Sequence, residues 1–157
     1  MSDYRVIEVK QSVLASNDQK ANELRSKMKE KGTLLINLMS SPGSGKTTML
    51  RRTIKALKGE LDIAVMEADI DSDVDAAAIS EVGAQTIQLH TGGMCHLDAA
   101  MCAQGLEGLA AGDTDVIFLE NVGNLVCPAE FDTGAGVNIT ILSVPEGDDK
   151  PLKYPLM

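Results

Sequence analysis

Two spacings of apolar residues divide the chain. Over residues 16–31 they recur at helical intervals, with Ala21, Leu24 and Met28 on one face, Ser16 or Asn17 placed to cap the start, and Gly32 to stop the end. Five short stretches then read as strands: apolar runs at residues 33–39, 61–68, 115–120 and 137–144, and an alternating pattern at 84–90. Helical stretches at 47–57, 76–81 and 95–111 separate the first four; Gly59 and Gly83 close two of them, and Gly105 and Gly108 weaken the third. The first eleven residues suggest an extended arm whose apolar positions are Val6, Ile7 and Val9. Strands alternating with helices predict an α/β fold, a mainly parallel sheet covered on both faces, in which ligands gather at the carboxyl ends of the strands. The expected division is an N-terminal arm and helix over residues 1–32 and one α/β domain over residues 33–157.

The residues that carry chemistry fall at those strand ends. After the first strand comes SSPGSGKTT, residues 40–48, which reads as a phosphate-binding loop opening a helix. Pro42, Gly43, Ser44, Gly45 and Thr48 form its backbone cradle, Lys46 is a fixed cation beside the phosphates, and Thr47 offers a hydroxyl to Mg²⁺. Ser40 stands where the motif G-x-x-x-x-G-K-[ST] begins with Gly, so the loop is a variant. The fourth strand, DVIFLE, ends in Glu120 followed by Asn121-Val122-Gly123, the place of the D-x-x-G element of P-loop NTPases; there Gly123 follows the γ-phosphate. Lys46 and Glu120 are the catalytic candidates. The Mg²⁺ candidates are Thr47, Glu120 and, from the acidic run at 69–75, Asp69 and Asp75, the last equally readable as a helix cap. Together these features predict the three-layer P-loop NTPase fold.

Charge narrows the partners. The formal net charge is −9, and the segment 59–149 contains eighteen Asp and Glu with no Lys or Arg. Such a surface repels phosphates everywhere but at the loop and excludes a nucleic-acid footprint; cations are its natural partners. With 44% hydrophobic residues in a chain of 157, one sizeable core is expected, and no apolar run approaches the roughly 18 residues of a membrane span. The charged N-terminus lacks a signal-peptide pattern, and three Cys without scaffold spacing suit a reducing compartment, so a cytoplasmic location is expected.

Those thiols mark a second constellation. Cys95 and His96 follow Gly92-Gly93 at the end of the third strand, and Cys127 lies four residues beyond Gly123. Thiolate and imidazole together suit Ni²⁺ or Zn²⁺ and are poor ligands for Mg²⁺. Three ligands leave one position for water or for a second copy across a two-fold axis. The bland alternative is two small buried Cys and a His at a helix start. Cys102 reads as buried among Ala, and His90 as a structural strand end.

With SSPGSGKTT, GGMCHLDA, ENVGNLVCP and SVPEGDDKPLKYP in that order, the chain resembles the HypB family of hydrogenase nickel-incorporation GTPases over about residues 13–157. The resemblance implies a SIMIBI-class P-loop GTPase that hydrolyses GTP slowly with Mg²⁺ and dimerises in the GTP state. It further implies Ni²⁺ or Zn²⁺ on the residues matching Cys95, His96 and Cys127, and work with a HypA-type nickel chaperone on the [NiFe]-hydrogenase large subunit. Two departures stand out. No Cys-rich or His-rich N-terminus is present, and the sequence stops at Met157 before the N-K-x-D element that reads guanine, so the expectation is a truncated product lacking a C-terminal strand and helices. An ATP-using P-loop protein and a metal-binding module that no longer turns over nucleotide are the alternatives.

Overall fold

The computed structural model describes residues 9–70, 72, 74–109 and 112–157. Helix α1 (Val9–Lys31) leads into β1 (Leu34–Ser40), α2 (Lys46–Leu57), β2 (Ile63–Asp69), α3 (Val74–Ser80), β3 (Gln85–His90), α4 (Ala99–Leu109), β4 (Val116–Glu120), the single-turn α5 (Cys127–Glu130) and β5 (Val137–Ile141). A 3₁₀ turn (Val144–Glu146) and the short α6 (Lys150–Lys153) follow. The five strands form one sheet in the order β3-β2-β4-β1-β5, and every pairing is parallel.

Alternation along the strands decides which layer each side chain joins. Leu35, Met66, Ile117 and Leu119 point to the face covered by α1 and α4. Ile36, Val65 and Phe118 point to the opposite face, where Leu50 and Ile54 of α2 and Ile79 of α3 cover them. Leu50 and Ile54 are almost wholly withdrawn from water, worth about 1.5–3 kcal/mol each in transfer free energy. The three-layer α/β architecture expected from the sequence is therefore present.

Several boundaries differ from the periodicity, each for a local reason. Among the described residues helix α1 already includes residues 9–11, which the sequence placed in an arm; Val6 and Ile7 lie outside the described residues. Asn17 is not a cap: it sits inside α1, buried, with its amide bonded to other segments. Helix α4 starts at Ala99, not Cys95, because the Asp98 carboxylate accepts from Met101 N at 2.8 Å and caps the helix there. That leaves Cys95 and His96 on irregular backbone. Gly105, a weak point by propensity, is where α4 settles onto the sheet: a Cβ there would lie 2.7 Å from Leu89 Cδ1 and 2.9 Å from Met66 Sδ. Strand β5 ends at Ile141 rather than 144, since Ser143 and Glu146 form a reciprocal capping box that turns the chain into the 3₁₀ turn.

Candidate functional site

The loop between β1 and α2 is shaped for an anion. Gly43 and Gly45 hold φ of 74° and 94°, a left-handed backbone that L side chains avoid, and no side chain caps α2. The first amides of α2 therefore remain available, with Lys46 only 9% exposed at its first position. Ser40, in the place of the motif's first Gly, is fully buried and its hydroxyl donates to Ser41 O at 2.8 Å. Ser44 Oγ donates to Ser41 O at 2.9 Å and lies 3.0 Å from Glu146 Oε2, which also receives Ser143 N at 2.7 Å. Hydrogen bonds from the Ser41 and Ser143 side chains hold the Glu146 carboxyl down at about 2. Glu146, absent from the sequence-based candidates, thus ties the turn after β5 to the phosphate loop.

A cavity of about 520 Å³ opens over this loop, lined by Pro42 through Thr48, Ala68, Asp69, Ile70, Asp75 and the segment 120–123. Thr47 Oγ1 donates to Glu120 Oε1 at 2.6 Å, joining the loop to the tip of β4. Gly123 is packed closely on the loop, since a Cβ would meet Pro42 Cγ at 3.1 Å and Pro42 Cα at 3.2 Å and press on that residue. The 120–123 segment therefore lies directly against the phosphate loop.

The carboxylates divide differently from the sequence expectation. Asp75 and Glu120 meet, and the third member of their cluster is Glu67, with one oxygen from each within 4.8 Å of the others. Asp69 lines the cavity wall, where its Oδ1 accepts from Ser72 N at 3.0 Å; Asp71 and Asp73 lie outside the described residues. Glu67 and Glu120 face each other because β2 and β4 pair them in register, and both are buried. Burial, followed by a hydrogen bond with Glu120, pushes the Glu67 carboxyl up to about 11. Glu67 Oε1 and Glu120 Oε2 are buried and have no hydrogen-bond partner among the described residues. An all-oxygen set with unsatisfied acceptors, beside a hydroxyl and a phosphate cradle, fits a hard divalent cation such as Mg²⁺. The signal for Glu67 was present in the sequence as the lone charge inside the apolar strand VMEA.

Cys95, His96 and Cys127 also converge, each offering one ligand atom within 4.8 Å of the other two. Cys95 Sγ lies 4.0 Å from His96 Nδ1. The first two follow the turn at Gly92 and Gly93, which Thr91 Oγ1 closes by donating to Met94 O. Asn124 Oδ1 shapes the Cys127 side, accepting from Val126 N and Cys127 N at 2.8 and 3.2 Å. His96 stacks on Phe131 with ring centroids 3.9 Å apart and planes 13° from parallel. Burial lowers the His96 pKa, which favours the neutral imidazole that can ligate, while its Nε2 is buried with no hydrogen-bond partner among the described residues. A hydrogen bond with Cys95, ahead of burial, raises the Cys127 thiol, so a metal must displace its proton. Two sulfurs and an imidazole fit Ni²⁺ or Zn²⁺. Cys102 stays apart, fully buried, its thiol pushed up to about 12; exposed His90 is no member of the cluster.

The family described as CobW/HypB/UreG, nucleotide-binding domain, matches residues 33–144. The chain is 51% identical over 157 residues to the hydrogenase maturation factor HypB of Rhizobium leguminosarum bv. viciae, covering all of this chain and 52% of that protein. It superimposes on the crystal structure of HypB from Archaeoglobus fulgidus with a TM-score of 0.81 at 38% identity, over 91% of this chain and 70% of that one. The chain belongs to the HypB family. The crystal structure of HypB from Helicobacter pylori in complex with nickel matches with a TM-score of 0.84 at 44% identity, over 90% of this chain and 67% of that one. The chain spans about half the length of the curated HypB relatives it matches. Family membership makes the cavity over residues 42–48 part of a nucleotide-binding domain. Among the described residues no helix is long and apolar enough to cross a membrane.

Proposed function

We propose that the chain is a GTP-hydrolysing regulator of nickel delivery to [NiFe]-hydrogenase, in which occupancy of the soft-metal cluster follows the nucleotide state. The observation that carries this reading is the loop from Glu120 to Cys127. One end lies in the nucleotide cavity and is bonded to Thr47; the other supplies a thiol to the Cys95, His96 and Cys127 cluster. A displacement of Gly123, packed against Pro42, reaches Cys127 in four residues.

In this reading the backbone of residues 43–48 and Lys46 bind and orient the phosphates. Thr47, Glu120, Asp75 and Glu67 hold a Mg²⁺, which when bound neutralises charge developing on the transferring phosphoryl. Glu67 keeps its proton until that site is filled. The GTP state brings two copies together and completes the nickel coordination; the GDP state opens it and releases Ni²⁺ as cargo toward a HypA-type chaperone and the hydrogenase large subunit. Neither the switch segments nor the rest of 59–149 contains a Lys or Arg, so this stretch supplies none of the arginine that raises such rates by about 10³–10⁵.

Two measurements on one preparation test the reading: GTP turnover and Ni²⁺ stoichiometry. The expected result is turnover far below about one per second, with one Ni²⁺ bound per chain or per two chains. Fast turnover by a monomer, unchanged when Lys150 and Lys153 are replaced by Ala, contradicts it. So does stoichiometric Ni²⁺ binding with no GTP turnover at all, which leaves a passive metal module.

A further inference from the structure

The two halves of the soft-metal cluster are joined by a residue that ligates nothing. Asn17, in the first half of α1, is 7% exposed, and both ends of its amide are used. Its Nδ2 donates to Asp132 O at 2.8 Å, and its Oδ1 accepts from Ala99 N at 2.9 Å. Ala99 begins α4, three residues after His96; Asp132 follows Phe131, the ring stacked on His96, five residues after Cys127. One short side chain therefore spans the Cys95-His96 segment and the Cys127 segment. Arg25, two turns further along α1, grips the same second segment through both Asp132 carboxylate oxygens at 2.6 and 2.7 Å and through Ala135 O at 3.0 Å. Asn is a poor residue for a helix interior, because its side chain competes for backbone groups; here it satisfies distant backbone groups instead.

We infer that Asn17 is a positioning residue for the Cys95, His96 and Cys127 cluster: its amide fixes the separation of the two ligand-bearing segments and thereby sets the affinity for Ni²⁺. The inference rests on the metal reading above. It also makes α1 the element through which a change outside the cluster alters metal affinity, since tilting this helix moves Asp132 relative to Ala99.

The test titrates Ni²⁺ into the intact chain, followed by thiolate-to-nickel charge-transfer absorption, with nucleotide affinity measured in parallel. Asn17→Leu removes both bonds; Asn17→Asp keeps the acceptor for Ala99 N and removes the donor to Asp132 O. Met28→Ala truncates a buried α1 side chain on the core and leaves the amide intact. Removing supports of metal ligands typically costs about 10–100-fold in affinity, and Asn17→Leu is expected to lose about tenfold or more and to shift the absorption band. Asn17→Asp loses less in the same direction, and Met28→Ala keeps wild-type Ni²⁺ affinity and absorption. Nucleotide affinity stays at wild type in all three. Wild-type Ni²⁺ affinity and absorption in Asn17→Leu overturn the inference, and if that variant does not fold the same result in Asn17→Asp does so. A loss in Met28→Ala equal to that in Asn17→Leu overturns it as well, by assigning the effect to general stability. A wild-type chain without stoichiometric Ni²⁺ binding removes the metal reading itself, and the inference with it.

Discussion

The oxygen site and the sulfur site of this chain stand at opposite extremes of construction. Glu67 and Glu120 are placed by the sheet: adjacent parallel strands pair them in register, and both are buried. Thr47 is fixed by the first turn of α2, one bond from Glu120. Cys95, His96 and Cys127 stand on irregular backbone and a single helical turn, brought together by an Asx turn at Asn124, the ring of Phe131 and an amide from α1. A site built into strand register moves only if the sheet moves, whereas a site assembled from loops changes shape when one bond to its supports changes. By this construction the oxygen site is held constant and the sulfur site is adjustable, with the segment 120–127 running from one to the other.

The largest expected effect separates the two. Lys46→Ala removes the buried cation from the cradle and is expected to weaken nucleotide binding at least about 100-fold, roughly 2.7 kcal/mol, while Ni²⁺ affinity without nucleotide stays at wild type. Calorimetry of both ligands on the one variant checks it, and a parallel loss of Ni²⁺ binding would show the sites to be one unit.

A smaller effect sharpens what register placement costs. The Glu67 pKa is raised from 4.5 to about 11 in the folded chain, so its penalty is absent below pH 4.5, grows as pH rises, and levels off only near the folded value. Glu67→Gln is therefore expected to stabilise the nucleotide-free protein at pH 8 by about 1 kcal/mol or more, about 2–4 °C in Tm, and to leave Tm unchanged at pH 4. Scanning calorimetry at the two pH values checks the sign. The same variant should bind GTP in Mg²⁺ less tightly than wild type, a loss absent when Mg²⁺ is withheld.

The smallest effect concerns Glu146. Its folded pKa of about 2 lies below the ordinary 4.5, so the contact with the phosphate loop contributes above pH 4.5 and is lost as pH falls toward 2. The side chain is half-buried, and its effect is read in nucleotide binding: Glu146→Gln should lower affinity at pH 7 by only a few-fold. An unchanged affinity in that variant would detach the turn after β5 from the loop.

Legibility in the sequence followed the same division. SSPGSGKTT and DVIFLENVG carry their geometry locally, because glycine at positive φ, a helix start and a strand end are short-range features; the loop and the tip of β4 lie where those stretches place them. The strands were equally readable as short apolar runs, while which residues face α1 and α4 and which face α2 and α3 is shown only by the folded sheet. Glu67 escapes a reading of the sequence because its role depends on which strand pairs with which, a long-range fact, although the lone carboxylate in VMEA is visible there. Asn17 read as a cap because its real partners, Ala99 and Asp132, are 82 and 115 residues away. The approach of Cys127 to Cys95 and His96 is invisible to periodicity; the donor chemistry and the resemblance joined them, and the folded chain shows how Phe131 and Asn124 support it.

In the proposed function the loop from Glu120 to Cys127 carries information between the sites. Its most direct test is the Ni²⁺ affinity of the wild-type chain with GDP and with a non-hydrolysable GTP analogue, in Mg²⁺, beside Cys127→Ala. The predicted result is an affinity about 5- to 150-fold higher with the GTP analogue, matched by the same factor in nucleotide affinity when Ni²⁺ is bound, and a difference that disappears in Cys127→Ala. Equal Ni²⁺ affinities in the two nucleotide states of the wild type would contradict it.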